Sequence, residues 1–252
     1  MIRLLEELTP AFVRLCGEDI FGSRILAAAR SYGFQLAGSQ FWIQSDGTEK
    51  LTAALALVDG FALLRTDGAD WEELAVFLKM LSWDQLQCAA EDAAHLPYPT
   101  DWISCLMSFS AAKRTSISAQ ISPAKDVGDV YDLLAQCFSD MKDRALWMAD
   151  LALRWRRGTA ESWFIGAVDG SPLGTASAFA VTERHAFLGA VGTLPEARGQ
   201  GFAGELAARL AEIQQARGRA VWLSCRAELA EFYQSVGFEP AGNMITMRKG
   251  DC

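Results

Sequence analysis

The pattern of apolar and polar positions predicts helices and strands that alternate along the chain. Residues 3–15 and 20–32 have the spacing of short amphipathic helices. Residues 34–60 consist instead of short apolar runs, interrupted where Asp46 and Asp59 are each followed by glycine. Asp-Gly between apolar runs is typical of a hairpin turn. We therefore predict two helices and then three strands joined by hairpins.

A helix is predicted to begin after Asp70, because Asp70 and Glu73 have the spacing of a capping box. Apolar residues then recur at intervals of three and four, on one helical face: Leu74, Phe77, Leu78 and Leu81. Residues 85–88 are a candidate strand.

The second half repeats this alternation, beginning near residue 117. Asp126 and Asp143 each precede an apolar stripe of helical period, and the second helix ends in three arginines and a glycine. Cations suit a helix C-terminus, and a nucleotide-binding patch is the alternative. The next predicted elements are strands at 162–168, 173–181 and 185–192 with turns at 169–170 and 182–184, a helix at 201–216, a strand at 221–225, a helix at 227–236 and a strand at 244–249.

The stretch from Leu188 to Leu206 carries the most specific chemistry. An apolar run ends at Pro195, a glycine-rich turn with Arg198 follows, and a helix begins at Gly201. The N–H groups and dipole of a helix N-terminus favour an anion, and glycine lets the backbone approach it. A P-loop is excluded because no Lys-Ser/Thr follows the glycines, and a dinucleotide fingerprint is disfavoured because the turn lacks its βαβ repeat.

Two motifs in this half resemble the GNAT (Gcn5-related N-acetyltransferase) superfamily. Arg198-Gly-Gln-Gly201-Phe-Ala203 matches the family's acyl-CoA pyrophosphate loop, [QR]-x-x-G-x-[GA]. About thirty residues later, Tyr233 is followed by the pair Gly237-Phe238, an arrangement typical of the family. The resemblance implies an α/β (α+β) fold with a mixed, mostly antiparallel sheet flanked by helices.

The resemblance also implies acetyl-CoA as cofactor and assigns its contacts. Backbone groups near Val191 and Thr193 would hold the pantetheine arm and the acyl carbonyl. The pyrophosphate would be held by the loop Arg198, Gly199, Gln200, Gly201, Phe202, Ala203 and Gly204. Tyr233, a phenol with an ordinary pKa near 10, would act as general acid on the leaving thiolate.

The general base is less clear, because the strand before the loop lacks the carboxylate that many relatives have. Glu183 is our candidate and His185 an alternative, each acting through water, although both also suit a turn. Cys225 is an alternative covalent nucleophile. Arg226 stands where relatives often have asparagine, which puts one usual contact to the cofactor in doubt.

The two halves resemble each other, each with hairpins, an amphipathic helix and a strand. We infer a tandem of GNAT-like domains: residues 1–115 as a degenerate copy without a cofactor loop, and 116–252 as the acetyltransferase domain. In the first copy Asp70 stands at the helix start, where its carboxylate would repel a phosphate.

Composition and charge narrow the possible partners, metal sites and cellular location. The 252 residues carry a net charge of −8, which disfavours nucleic acid and anionic membranes as partners. Six cysteines without C-x-x-C spacing and only two histidines argue against a metal site and for a reducing cytoplasm. We expect no signal peptide and no membrane span.

The expected function is therefore transfer of an acetyl group from acetyl-CoA to a primary amine of a small molecule, amino acid or peptide, by direct attack in a ternary complex. A homodimer is compatible with this reading. The alternative is a catalytically silent acyl-CoA-binding or interaction module. An aminoacyl-tRNA-dependent transferase is a third reading, disfavoured by the negative charge.

Overall fold

The structure is a computed structural model, and its chain divides into two compact units. It describes residues 1–48, 50–113, 117, 119–141, 143–166 and 170–249. The first unit comprises residues 1–106 and 242–252, and the second comprises residues 107–241. The division into domains at residues 115 and 116 stays a prediction.

The first half of the chain supplies six strands and four helices within the described residues. They are β1 (Ile2–Leu4), α1 (Pro10–Cys16), α2 (Ile20–Tyr32), β2 (Ser39–Ser45), β3 (Leu51–Val58), β4 (Phe61–Thr66), α3 (Trp71–Met80), β5 (Gln85–Ala89), α4 (Ala90–Ala93) and β6 (Thr100–Phe109).

The second half repeats this order of strands and helices. Its elements are β7 (Gln120–Pro123), α5 (Val127–Cys137), α6 (Arg144–Arg156), β8 (Glu161–Gly166), β9 (Pro172–Val181), β10 (His185–Thr193), α7 (Phe202–Ala216), β11 (Ala220–Cys225), α8 (Ala230–Ser235) and β12 (Phe238–Arg248). Short 3-10 turns at Pro195–Ala197 and Ala227–Leu229 precede α7 and α8.

Strand pairing repeats as well. In the first unit, β1 to β4 pair antiparallel in chain order, and β5 lies parallel to β4 because α3 crosses between them. In the second unit, β7 to β10 pair antiparallel in chain order and β11 lies parallel to β10, with α7 as the crossover. The same order and pairing in both units support the inferred duplication.

Two helical layers cover the first unit's sheet. Helices α1 and α2 bury Phe12 and Ile25 against Phe41, while α3 buries Leu78 in a separate cluster. The second cluster includes Ile245 and Met247 of β12. Residues 244–248 of that strand pair antiparallel with β5 and belong to the first unit.

Most of the elements predicted from the sequence are confirmed. Both Asp-Gly hairpin turns connect antiparallel strands, at β2–β3 and β3–β4. The side chains of Asp70, Asp126 and Asp143 each accept a hydrogen bond from the first turn of a helix. Residues 167–169, which include part of a predicted strand and turn, lie outside the described residues.

One prediction is wrong in part, and three elements have no counterpart among the predictions. The helix predicted for residues 3–15 begins only at Pro10, and Ile2–Leu4 forms β1 because it pairs with residues 42–44 of β2. The elements without a counterpart are α4, β6 and β7. Strand β1 depends on a partner distant in sequence, where local periodicity carries little information.

Candidate functional site

Strands β10 and β11 separate where the site begins. Their parallel register runs from His185 opposite Ala220 to Leu188 opposite Leu223 and then ends. On the other edge of β10, the register with β9 shifts between Gly189 and Gly192, which marks a β-bulge. Ala190 within the bulge has a φ of 48°, a left-handed value that costs free energy for a residue with a side chain.

A cavity of about 670 Å³ lies at this end of β10, entirely within the second unit. Its lining comes from α5, the end of β10, the glycine loop, α7 and α8. The lining residues are Cys137, Phe138, Val191, Gly192, Thr193, Ala197, Arg198, Gly199, Gly201, Phe202, Ala203, Gly204, Leu229, Phe232 and Tyr233. Eight of the nine predicted cofactor-binding residues are therefore brought together with Tyr233.

The N-terminus of α7 lacks a side-chain cap. Gly201 is its N-cap, with a φ of 86°, and makes no side-chain hydrogen bond because it has no side chain. Among the described helices of seven or more residues, the other five each have a capping Asp or Thr. The first N–H groups of α7 therefore lack an acceptor from a capping side chain, an arrangement suited to an anion.

Two glycines let the backbone fold tightly around this terminus. Gly199 has a φ of 76°, a conformation that glycine adopts without strain. A Cβ on Gly204 would lie 2.7 Å from Cγ1 of Val236, so α7 packs against that residue only because the side chain is absent. Close packing thus explains Gly204 independently of any ligand.

Arg198 ties the glycine loop to two neighbouring elements. Its Nε donates to the carbonyl of Thr193 at 3.3 Å, and one Nη donates to the carbonyl of Cys137 at 3.0 Å. Cys137 ends α5, so the cation also compensates the negative end of that helix dipole. These bonds use two of the five guanidinium N–H groups.

Tyr233 lies on α8 and is only 8% exposed. Its ring packs against those of Phe232 and Phe238, with centroids 5.0 and 5.8 Å away. Burial, with a smaller contribution from Cys225, raises the pKa of Tyr233 to about 12. The hydroxyl consequently keeps its proton throughout the neutral range and is a donor, not an anion.

Other residues singled out from the sequence lie elsewhere. Glu183 is exposed in the turn before β10, and His185 begins that strand, six residues before Val191. Six strand residues span roughly 20 Å, and neither residue lines the cavity. The geometry therefore gives no support to Glu183 as the general base. Nδ1 of His185 accepts a hydrogen bond from Trp222 at 3.1 Å.

Three more of these residues lie outside the cavity lining. Gln200 donates through Nε2 to the carbonyl of Glu196 at 3.2 Å. Arg226 is 84% exposed, and Cys225 is buried at the end of β11.

The corresponding place in the first unit is built differently. The register of β4 with β5 ends at Leu63 opposite Gln87, as that of β10 with β11 does. Beyond this point, Oγ1 of Thr66 donates to Oδ1 of Asp92 at 2.6 Å, joining the two diverging segments. The N-terminus of α3 is occupied by Asp70, which accepts from the N–H of Glu73.

Six residues of the cavity lining lie outside the predicted site: Cys137, Phe138, Gly192, Ala197, Leu229 and Phe232. Phe138 and Leu229 are exposed apolar residues, and the sequence carries no local signal for them. Phe232 adjoins Tyr233 within the recognised motif, so its position did offer a signal.

Comparison with known proteins identifies the family of this segment. Residues 127–238 match the model of the acetyltransferase (GNAT) family. They contain both the glycine loop and Tyr233, so the second unit carries a GNAT domain and the general chemistry of its family is acyl transfer. No curated protein matches the chain significantly.

Solved structures show the fold of the whole chain. An acetyltransferase of the GNAT family from Colwellia psychrerythraea aligns over 100% of both chains with a TM-score of 0.61 and 15% identity. A GCN5-related N-acetyltransferase from Sphaerobacter thermophilus aligns over 98% of this chain and 95% of its own, with a TM-score of 0.59 and 15% identity. A tandem GNAT protein from the clavulanic acid biosynthesis pathway aligns over 100% of both chains, with a TM-score of 0.56 and 15% identity. The fold is thus a tandem GNAT fold.

Two kinds of feature are absent from the described residues. Among them, no group of three or more His, Cys, Asp or Glu side chains is placed to hold a metal ion. No helix in the same ranges is long and apolar enough to cross a membrane.

Proposed function

We propose, from the GNAT domain at residues 127–238, that this protein transfers an acetyl group from acetyl-CoA to a primary amine of a small molecule, amino acid or peptide. The observation that carries the proposal is the uncapped N-terminus of α7 opening into the same cavity as Tyr233. We further propose residues 116–252 as the catalytic domain and 1–115 as a degenerate copy.

The cavity has the features that acetyl-CoA would need. A phosphate at the α7 terminus would accept from the N–H groups of Phe202, Ala203 and Gly204. Arg198 lines the same cavity with a permanent charge and N–H groups beyond the two it uses internally. Oγ1 of Thr193, at the end of β10, is buried without a hydrogen-bond partner among the described residues.

Acetyl-CoA supplies an activated acyl thioester when it is bound. The chain's own contribution begins with position: backbone groups of Val191 and Thr193, beyond the point where β11 stops pairing, would orient the arm. Tyr233 holds its proton at Oη and would donate it to the leaving sulfur.

The acceptor amine must be neutral to attack. No residue that lines the cavity in the described part of the chain carries a carboxylate or an imidazole. The amine would therefore enter neutral or lose its proton to water. An α-amino group, with a pKa near 8, is about 200 times more often neutral at pH 7 than an alkylamine with a pKa near 10.4.

A catalytically silent acyl-CoA-binding module is the second candidate, and the absence of a lining base is what favours it. The two functions predict the same cofactor binding and opposite outcomes for turnover.

The test is release of free CoA from acetyl-CoA, followed with a thiol reagent. The full chain is assayed with primary amines whose pKa values range from about 5 to 10, and calorimetry measures acetyl-CoA binding in parallel. Binding with amine-dependent thiol release supports the enzyme. Binding without release by any amine supports the silent module, and absence of binding overturns both.

A further inference from the structure

Helix α3 of the first unit exposes apolar side chains to solvent. Val76 is 58% exposed and Met80 is 71% exposed, and their four-residue spacing places them on one side of the helix, which we call the α3 face. A groove of about 590 Å³ lies beside the α3 face, with Ile2 of β1 and Phe77 of α3 among its lining residues. The opposite side of α3 is anchored in the core by Leu78. The α3 face is therefore apolar surface that the packing of the unit does not use.

The equivalent helix of the second unit has a different outer face. Helix α7 crosses between β10 and β11 as α3 crosses between β4 and β5. Its exposed Arg209 forms ion pairs with Glu205 and Glu212, at 3.8 and 3.5 Å. Such a charged face is suited to solvent, whereas exposed apolar side chains that adjoin a groove are typical of an interaction site. The comparison of the two helices singles out the α3 face as a binding surface.

The N-terminal end of the α3 face is acidic. Glu72 is exposed in the first turn of α3, four residues before Val76, and the capping Asp70 is exposed just before it. The carboxylate of Glu73 is already paired with the Met1 ammonium. Arg3 of β1 does not neutralise this end, because it pairs with a residue of β2 whose side chain packs with α1 and α2 on the other side of the sheet.

The C-terminal end of the α3 face is basic. Lys79 is exposed in the last turn of α3, three residues after Val76. Nζ of Lys249 donates to the backbone carbonyl of Lys79 at 3.0 Å, so it adds a second cation at this end. The carboxylate of Asp84, which follows this end in the chain, lies against Gly60 in the β3–β4 turn. The α3 face thus has an acidic end, an apolar middle and a basic end.

We propose that the α3 face binds the α3 face of a second copy of this chain, with the two helices antiparallel about a two-fold axis at Val76. A two-fold interface must be complementary to itself, and a surface with ends of opposite charge meets this condition. With Val76 on the axis, Glu72 of one copy lies within about 1.5 Å, measured along the helix, of Lys79 of the other. Each acidic end therefore faces a basic end, twice in the dimer.

The same arrangement places a protruding side chain at a groove. Met80 of each copy lies level with Glu72 of the other, and Glu72 lines the groove together with Ile2 and Phe77. One helix face per copy buries less than the roughly 1,600 Å² of a standard interface, so we expect a weak dimer with a Kd of about 10–100 μM. Self-association would give the first unit, where Asp70 occupies the α3 terminus, a role of its own.

The first test is sedimentation equilibrium of the full chain without acetyl-CoA, from about 1 to 500 μM in about 50 mM salt, where surface charges are weakly screened. We expect monomers at the lowest concentration and dimers at the highest. Met80→Gln keeps the length of the side chain and should weaken the dimer at least tenfold, because both copies lose an apolar contact. Leu146→Gln, at an exposed apolar residue of α6, is the control. A chain that stays monomeric at 500 μM overturns the proposal, as does a dimer that Met80→Gln leaves unchanged.

The second test exchanges the charges across the axis. Glu72→Lys and Lys79→Glu should each weaken the dimer at least tenfold, since each variant places like charges opposite each other twice. The double variant restores opposite charges and should return the Kd to within about threefold of the parent. Glu228→Lys, at an exposed residue of the second unit, is the control for the change in charge. A double variant as weak as the single variants overturns the antiparallel arrangement. Because no acetyl-CoA is present, both tests are independent of the proposed function.

Discussion

Thr66 and Asp92 form a hydrogen bond of 2.6 Å at the place in the first unit that corresponds to the cavity of the second. The bond joins the last residue of β4 to α4, which follows β5, whereas the segments that follow the paired part of β10 and β11 border an open space. A single polar contact thus distinguishes the two copies where the strands diverge.

Loss of this bond should destabilise the first unit. Thr66→Val leaves the buried carboxyl of Asp92 without this donor, which costs about 1–3 kcal/mol. Urea unfolding at pH 7 measures the effect, with Thr100→Val, at an exposed position, as control. Equal losses of unfolding free energy in Thr66→Val and Thr100→Val would contradict this prediction.

Asp92 also predicts a pH dependence. Burial raises the pKa of its carboxyl, which disfavours the charged form in the folded state. Stability from the protonated form is therefore complete below about pH 4, the unfolded-state value, and is lost as pH rises through the raised pKa. The side chain of Asp92→Asn stays neutral. Its free energy of unfolding should therefore rise relative to that of the parent as the pH increases from 4 to 7. Urea unfolding at both pH values checks this, and a constant difference would refute it.

Gly201 and Asp70 occupy equivalent helix starts, and the difference between them can be tested. Gly201→Asp gives α7 a carboxylate cap like that of α3, and this carboxylate would compete with a phosphate for the same N–H groups. The variant should bind acetyl-CoA at least tenfold more weakly than the parent, as measured by calorimetry. Gly218→Asp is the matched control, since Gly218 has a φ of 81° against 86° for Gly201 and lies outside the cavity lining. Unchanged affinity in the Gly201 variant would mean that the terminus does not bind the phosphates.

Tyr233→Phe should lower kcat by about 100-fold or more, the usual contribution of a general acid, and leave acetyl-CoA affinity within about twofold. Tyr131→Phe, at a buried tyrosine outside the cavity lining, is the control. Because the pKa of Tyr233 is about 12, kcat of the parent should show no alkaline decline caused by this residue below about pH 11. A large loss of cofactor affinity would contradict the acid role.

Substitutions of Ala190 test whether the bulge in β10 is strained. At a φ of 48°, Ala190→Val places a β-branched side chain in the left-handed region and should cost about 2 kcal/mol or more in unfolding free energy. Ala190→Gly should be neutral or stabilising, because glycine adopts this conformation freely. Thermal unfolding of both variants measures these effects. An Ala190→Val variant as stable as the parent would show that the bulge is not strained.

The elements that the sequence predicts well are those with local signals. Asp46 and Asp59 are followed by glycine within hairpins, and the capping residues of α3, α5 and α6 act on N–H groups two or three positions away. Such contacts join residues that are close in sequence, so the local sequence is enough to predict them. The glycine loop is also contiguous, which is why six of its seven predicted residues line one cavity.

The features that escaped prediction depend on distant pairs. Strand β1 exists because Ile2 pairs with Gln44, and residues 244–248 of β12 pair with β5. The Thr66–Asp92 bond is likewise non-local. Glu183 lies just before β10, and the sequence alone does not indicate which end of that strand faces the cavity.

The most direct test of the central claim is thermal unfolding of the full chain with and without acetyl-CoA. The account predicts that ligand at about 100 times its dissociation constant stabilises the protein by roughly 2.7 kcal/mol. For a chain of this size that corresponds to a rise in Tm of roughly 5–10 °C. The Gly201→Asp variant, with an affinity at least tenfold lower, should show about half of this rise or less. An unchanged Tm in the parent, or an equal rise in the variant, would contradict the claim that the α7 terminus holds this cofactor.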